Sequence, residues 1–167
     1  MKINFLLLLS IIIVQIGCTD SVKSQEFPII LQEKSAQCGP VCLQMVSKYY
    51  GKHIDLEELE KLSGMTDEGT SLLGLSEAAQ SIGLKNLGVK ISYEQLTNEV
   101  PLPAILHWNN NHYIVVHKIS QNKVWVADPQ LGKIQYSKKE FCDNWIKGEI
   151  ATATEGIALL IEKTNDF

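Results

Sequence analysis

No arginine occurs in the 167 residues, and all fifteen basic side chains are lysines. Without a guanidinium, planar two-point recognition of phosphate or carboxylate is excluded. The lysines gather nowhere beyond the Lys138-Lys139 pair, so the basic footprint of a nucleic-acid binder is missing as well. The four cysteines, at 18, 38, 42 and 142, form no Cys-x-x-Cys pair, which argues against a zinc ribbon or a thioredoxin-type redox site. No helical His-x-x-x-His occurs. His107, His112 and His117 recur every five residues, but the odd spacing sets His112 and His117 on opposite faces of a strand, with no acid at ligand spacing. Gly83 to Lys90 approaches a phosphate-binding loop, but its lysine falls one position late and no Ser or Thr follows. Neither a metal, a cofactor nor a nucleotide is expected.

A spanning-length apolar run is absent too. Lys2 precedes an apolar stretch from Phe5 to Ile16, broken only by Ser10 and Gln15, and Gly17-Cys18 follows. That is shorter than the roughly 20 residues a membrane span takes. A basic start, a short apolar stretch and a small residue are the layout of a secretory signal. Cysteine directly after the small residue resembles a bacterial lipoprotein signal, with Cys18 lipidated, although Gln15 stands where such signals usually carry leucine. A plain secretory signal and an uncleaved anchor are the other two readings. Residues 1–17 are therefore set apart as a signal peptide and residues 18–26 as a polar tether. The expected location is extracytoplasmic and membrane-anchored.

What remains has the make-up of one globular domain over 27–164, with 45% apolar and 20% charged residues in the whole chain. Cys42, Met45, Val46, Tyr49 and Tyr50 recur at helical spacing and predict a helix from Gly39 to Tyr50, with Gly51 as its left-handed stop. Asp55 and Glu58 suggest a capping box for a second helix reaching Ser63. A third covers Ser71 to Ile82 and ends at Gly83. Then come short runs bounded by turn residues: Leu87–Ile91, Ala104–Trp108, Tyr113–Ile119, Val124–Ala127 and Ile134–Tyr136. Helical spacing returns over Lys138 to Trp145, and Ile157–Ile161 reads as a last strand. Helices first and antiparallel strands later indicate an α+β domain.

Cys38 lies just before Gly39-Pro40, at the amino end of the first helix. Free amides and the helix dipole there favour an anion, and a thiolate is the nucleophile acyl transfer needs. The plainer reading of this segment is a half-buried cysteine ahead of a helix. Gly39 would leave room for a substrate backbone. Cys42 shares the face of Met45 and Val46 and reads as core; Cys142, beside Phe141 and Trp145, reads as packing. A Cys38–Cys42 disulfide is the alternative in an oxidising compartment, though no other feature suggests it.

A base is needed next. His53 links two helices, and His107 and His117 sit within strands. His112 opens a strand after Asn109-Asn110-Asn111, where a side chain can face a cleft, and is preferred to His117. Asp128 closes the next strand. Asp-Pro is a turn initiator, but in a triad this carboxylate would hold the imidazole in the working tautomer. Gln32, six residues before Cys38, offers an amide for an oxyanion, and Gln37 is a weaker candidate for the same task.

Taken together these residues are recognisable. Q-x-x-x-x-x-C-G-P-V-C-L-Q-M, P-A-I-L-H-W-N-N-N-H-Y-I-V-V and V-W-V-A-D-P-Q-L-G, in that order, resemble the bacteriocin-processing (double-glycine leader) cysteine peptidases. These are best known as the peptidase domains of peptidase-containing ABC transporters. The likeness runs from about Phe27 to Lys163. It implies a papain-like fold, with a helical lobe carrying the cysteine packed on a mainly antiparallel sheet carrying histidine and aspartate. It also implies that Gln32, Cys38, His112 and Asp128 fall on the functional positions, and that the activity is cleavage after Gly-Gly or a similar small pair. Gln37 departs from the acidic residue the family usually has before the nucleophile. The partners implied are a peptide or precursor substrate and a separate ABC transporter. Two other uses of the same cleft stand beside this one: a surface lipoprotein that binds peptides without cutting them, and a transpeptidase or acyltransferase.

Overall fold

The computed structural model describes residues 26–147, 153–165 and 167. The expected signal peptide, the lipid site at Cys18 and the tether up to Gln25 lie outside the described residues. Glu26 pairs with Lys133. Among the described residues, no helix is long and apolar enough to cross a membrane.

Six antiparallel strands form one sheet: β1 Leu84–Ile91, β2 Ala104–Trp108, β3 His112–Ser120, β4 Lys123–Asp128, β5 Gly132–Ser137 and β6 Gly156–Lys163. Their order is β1-β6-β2-β3-β4-β5. The last strand thus lies between β1 and β2, while β2 to β5 follow as a meander. Helices cover both faces. On one side α1 (Cys38–Tyr49) and α3 (Leu72–Ser81) pack, with α2 (Leu56–Leu62) against α1. On the other lie α4 (Tyr93–Asn98) and α5 (Lys138–Cys142), the latter continuing into a π-helical turn over Asp143–Lys147.

Two-sided cover explains why the inner strands β2, β3 and β6 read as nearly continuous apolar runs, whereas the edge strand β5 alternates. Along β3, Tyr113 and Val115 belong to the core beneath α1, whereas Ile114 and Val116 belong to the opposite core. The opposite core is aromatic: Phe141 lies between Trp108 and Trp145, with ring centroids 5.4 Å from each. Trp145 Nε1 donates to Ile157 O at 3.0 Å, so its one polar atom is satisfied. Fully burying a side chain of this kind contributes roughly 1.5–3 kcal/mol.

Helix boundaries follow local chemistry with one exception. Ser71 caps α3 by accepting from Gly74 N at 3.0 Å, and Gly83 (φ 92°) ends it as expected. Gly51 (φ 98°) follows α1 in the same way. Asp55 is the cap residue of α2 but makes no side-chain capping bond, so the expected box with Glu58 is not formed. The strands agree with expectation to within a few residues at each end. The helix α4 was not foreseen, although Ser92 and Gln95 form a reciprocal capping box at its start.

Candidate active site

Cys38 is the first residue of α1 and is reached through a 3-10 turn over Ser35–Gln37. Gln37 fixes that turn. Its Oε1 accepts from Glu33 N at 3.0 Å and Lys34 N at 2.8 Å, and its Nε2 donates to Glu60 Oε1 at 2.6 Å. An amide tied to the loop in this way belongs to the scaffold in front of the nucleophile. Gly39 also has a packing role: a Cβ there would lie 2.5 Å from Thr70 Cγ2 and 3.1 Å from Leu75. The bare backbone lets α1 close on the turn before α3, so the room at Gly39 goes to the protein's own side chains.

His112 opens β3 and Asp128 closes β4, which brings them to the same end of one antiparallel pair. His112 Nε2 lies 2.9 Å from Asp128 Oδ1. With Nε2 engaged, Nδ1 is the nitrogen left for the thiol, and Cys38 lies near enough to favour the charged ring. Burial works against the charged ring, but the hydrogen bond to Asp128, the nearby Cys38 and the charges behind them outweigh it, raising the His112 pKa to about 9. Asp128 is 2% exposed. Burial pushes its carboxyl upward, yet the bond to His112 and the amides of Gln130 (2.7 Å) and Leu131 (3.2 Å) prevail and hold it below its ordinary value. Asp128 therefore does two things at once. It closes the Asp-Pro turn and orients the imidazole.

Strict alternation along β3 set His112 and His117 on opposite faces, and the structure amends this. At the first position of its strand His112 reaches Cys38 on the α1 side. His117 sits in a bulge between Val116 and Lys118 and stacks on Phe27, with ring centroids 4.8 Å apart. Burial and the flanking Lys133 and Lys118 lower its pKa to about 4. His117 is thus a neutral wall. Cys42 is fully enclosed beneath α1, and burial, then the neighbouring Cys38 and Asp128, push its thiol well above the usual range. No disulfide joins Cys38, Cys42 and Cys142.

Gln32 is bound on two sides. Its backbone N–H donates to Pro129 O at 2.8 Å, tying the N-terminal arm to the turn after Asp128. Its side-chain Nε2 donates to Lys34 O at 3.1 Å and Ser35 O at 3.3 Å, and Oε1 is buried without a partner. Both amide hydrogens therefore face the loop carbonyls. Donation to an oxyanion requires one of them to turn, and the longer bond to Ser35 is the one to yield.

Beside Cys38 opens a cavity of about 270 Å³ whose walls include His107 and Tyr113 on the sheet side and the turn Glu68-Gly69-Thr70 on the helical side. Of these only His107 was weighed in the sequence, as a candidate base. His107 and Tyr113 stack with centroids 5.2 Å apart. Burial lowers the His107 pKa, an effect only partly offset by its hydrogen bond to the Asn110 backbone. Burial and the nearby Cys38 and Cys42 raise that of Tyr113 to about 12. The signal that could have found Tyr113 is its strand register, one residue beyond His112.

Comparison with known proteins follows the same lines. The sequence model of the Peptidase C39 family matches residues 26–162. The lactococcin-G-processing and transport ATP-binding protein LagD of Lactococcus lactis subsp. lactis is 34% identical over 70% of this chain and 17% of that protein. The pediocin PA-1 transport/processing ATP-binding protein PedD of Pediococcus acidilactici has the same identity and the same two shares. This chain thus spans under a fifth of the length of these curated relatives. Among solved structures, a double glycine motif protease from an AMS/PCAT transporter, in complex with the leader peptide, superposes with a TM-score of 0.75 at 30% identity, covering 83% of this chain and 93% of that one. The peptidase domain of Streptococcus ComA gives 0.72 at 26% identity, covering 83% and 100%. The α+β architecture is therefore the papain-like one of these domains.

Proposed function

The chain belongs to the peptidase C39 family, and we propose that it is a thiol endopeptidase that cuts peptides after a Gly-Gly or similar small pair through Cys38, His112 and Asp128. The observation that carries this reading is the linked contact of Cys38, at a helix amino end, with an imidazole held 2.9 Å from a buried carboxylate. In the proposed reaction the Cys38 sulfur, paired with His112 carrying its proton on Nδ1, attacks the scissile carbonyl. The tetrahedral oxyanion is held by the Cys38 amide and by Gln32 once its side chain turns from Ser35. His112 then protonates the leaving amine, leaving a thioester on Cys38. Water, deprotonated by the now neutral His112, cleaves the thioester and releases the acid. Asp128 keeps Nε2 occupied throughout, so Nδ1 always faces the sulfur.

The preference for a small pair rests on the likeness to a double glycine motif protease and on the confined space beside Cys38. The natural substrate would be the leader of an exported peptide, delivered by a separate ABC transporter. We place the domain outside the cytoplasm, anchored through a lipid on Cys18 or through the apolar segment before it, on the strength of the Lys2, Phe5–Ile16, Gly17-Cys18 layout. Radiolabelled palmitate that fails to enter the wild-type protein, or enters equally well after Cys18→Ala, would remove the lipid from this account.

The chemistry is tested by the rate of iodoacetamide labelling at Cys38, read by peptide mapping so that Cys42 and Cys142 are scored separately. Fast labelling that slows at least tenfold in His112→Ala, together with cleavage of Gly-Gly peptides, is expected. Slow labelling that ignores His112, with peptides bound but intact, would overturn the peptidase and favour a binding protein. Products carrying an added amine would instead mean acyl transfer.

A further inference from the structure

The cavity beside Cys38 contains a charge that the reaction does not use. Among its lining residues Cys38, Tyr113, His107, Asn110 and Asn111 are nucleophile, aromatic wall and amides, while Glu68 alone carries a formal charge at neutral pH. His107 adds none, because burial holds its pKa down. Glu68 is exposed and stands on a braced turn. Thr66 N donates to Gly69 O at 2.9 Å and Gly69 N to Thr66 O at 3.0 Å. Glu68 N donates to Thr66 Oγ1 at 3.2 Å. Gly69 (φ 105°) turns the chain so that the position of a Cβ would lie 3.7 Å from Ala36 O, in the turn leading to the nucleophile. The turn carrying Glu68 is thus braced within itself and lies against the chain two residues before Cys38, and no lysine is among the residues lining the cavity.

A carboxylate lining the cavity beside Cys38, with no lysine among the lining residues, favours a cationic ligand and disfavours an anionic one. We infer that Glu68 is a specificity-determining residue that selects substrates bearing a lysine or arginine side chain close to the scissile bond. The inference rests on the peptidase reading for the identity of the ligand as a peptide. It assigns that peptide a charge, which neither the triad nor a small-residue preference supplies. The effect is that of a solvent-exposed pair, so it is modest and screened by salt.

The test uses matched ten-residue peptides with a central Gly-Gly and Lys, Gln or Glu placed at each of the three positions on either side. Their binding is measured on Cys38→Ala protein, with and without Glu68→Gln or Glu68→Lys, and their cleavage on protein that retains Cys38. At one or more positions the Lys peptide should bind about three- to fivefold tighter than its Glu counterpart at low salt. Glu68→Gln should erase that ratio, Glu68→Lys should invert it, and 0.5 M salt should shrink it. A Lys-to-Glu ratio that is the same in all three proteins at every position overturns the inference, even if the enzyme cuts every peptide. A ratio that responds to Glu68 while no peptide is cut supports the inference and overturns the peptidase instead.

Discussion

The two faces of the sheet are made by the same strands but differ in kind. The face under α4 and α5 buries Trp108, Ile114, Val116, Val126, Phe141 and Trp145, and Cys142 packs against it only partly buried. The face under α1 buries Cys38, Cys42 and Tyr113 within its apolar core, and the His112–Asp128 pair sits at its edge. One face holds the strands rigid, and the other uses their ends. The division has a physical reason. Buried polar groups are costly unless every one is bonded, and the reacting ones gather where helix start, strand start and strand end meet.

The comparison can be broken most sharply at the nucleophile. Cys38→Ala should lower peptide cleavage by at least about ten-thousandfold, as loss of a nucleophile does, while thermal unfolding stays within a few degrees of the parent. Residual turnover near the parent rate would mean the α1 face is not where the chemistry happens. Asp128→Asn should come next, with kcat/KM down by about a hundredfold. The raised His112 pKa gives this variant a second readout. The charged ring stabilises the fold fully below about pH 6.5, and that contribution is lost as pH rises through about 9. In the parent, activity should therefore decline above about pH 9. Without the carboxylate the decline should begin at lower pH. An alkaline limb that does not move in Asp128→Asn would remove Asp128 from the proton path.

The other face should respond in the opposite sense. Phe141→Ala ought to cost about 3–5 kcal/mol of stability by leaving a cavity between two tryptophans. Below its melting temperature, Cys38 should label at the parent rate. If Cys38 reactivity drops as much as stability does, the two faces are not separable. The smallest effect belongs to the cap of α4. Ser92→Ala should lower stability by about 1 kcal/mol, read from the shift in the urea midpoint, with no change in kcat/KM.

Some of this was visible in sequence because its cause is local. Cys38 falls at a helix start since Gly39-Pro40 opens an apolar repeat that Gly51 closes. The inner strands were found because burial on both sides makes short, nearly unbroken apolar runs. The Ser92–Gln95 capping box was equally local and was passed over among the strand signals around it. Other features have no local signature. Gln37 looked like a spare oxyanion donor, and only its bonds to Glu33, Lys34 and Glu60 show it bracing the loop. Gly39 looked like space for substrate, but Thr70 and Leu75 occupy that space. Glu68 was one acid in a polar turn until the cavity beside Cys38 took shape.

The sequence by itself determined which residue types were present to do acyl transfer, that Cys38 would sit at a helix amino end, and that His112 and Asp128 would stand at strand termini. Residue type, periodicity and turn chemistry act over a few neighbours and can be read there. Only the tertiary structure decided that His112 and not His117 meets Cys38, that Nε2 faces Asp128, and that Glu68 and His107 line one cavity beside Cys38. Hydrogen bonds and close charge contacts work over a few ångströms. Groups far apart in the chain come within that range only when α1 packs on the sheet and β3 and β4 pair in one register.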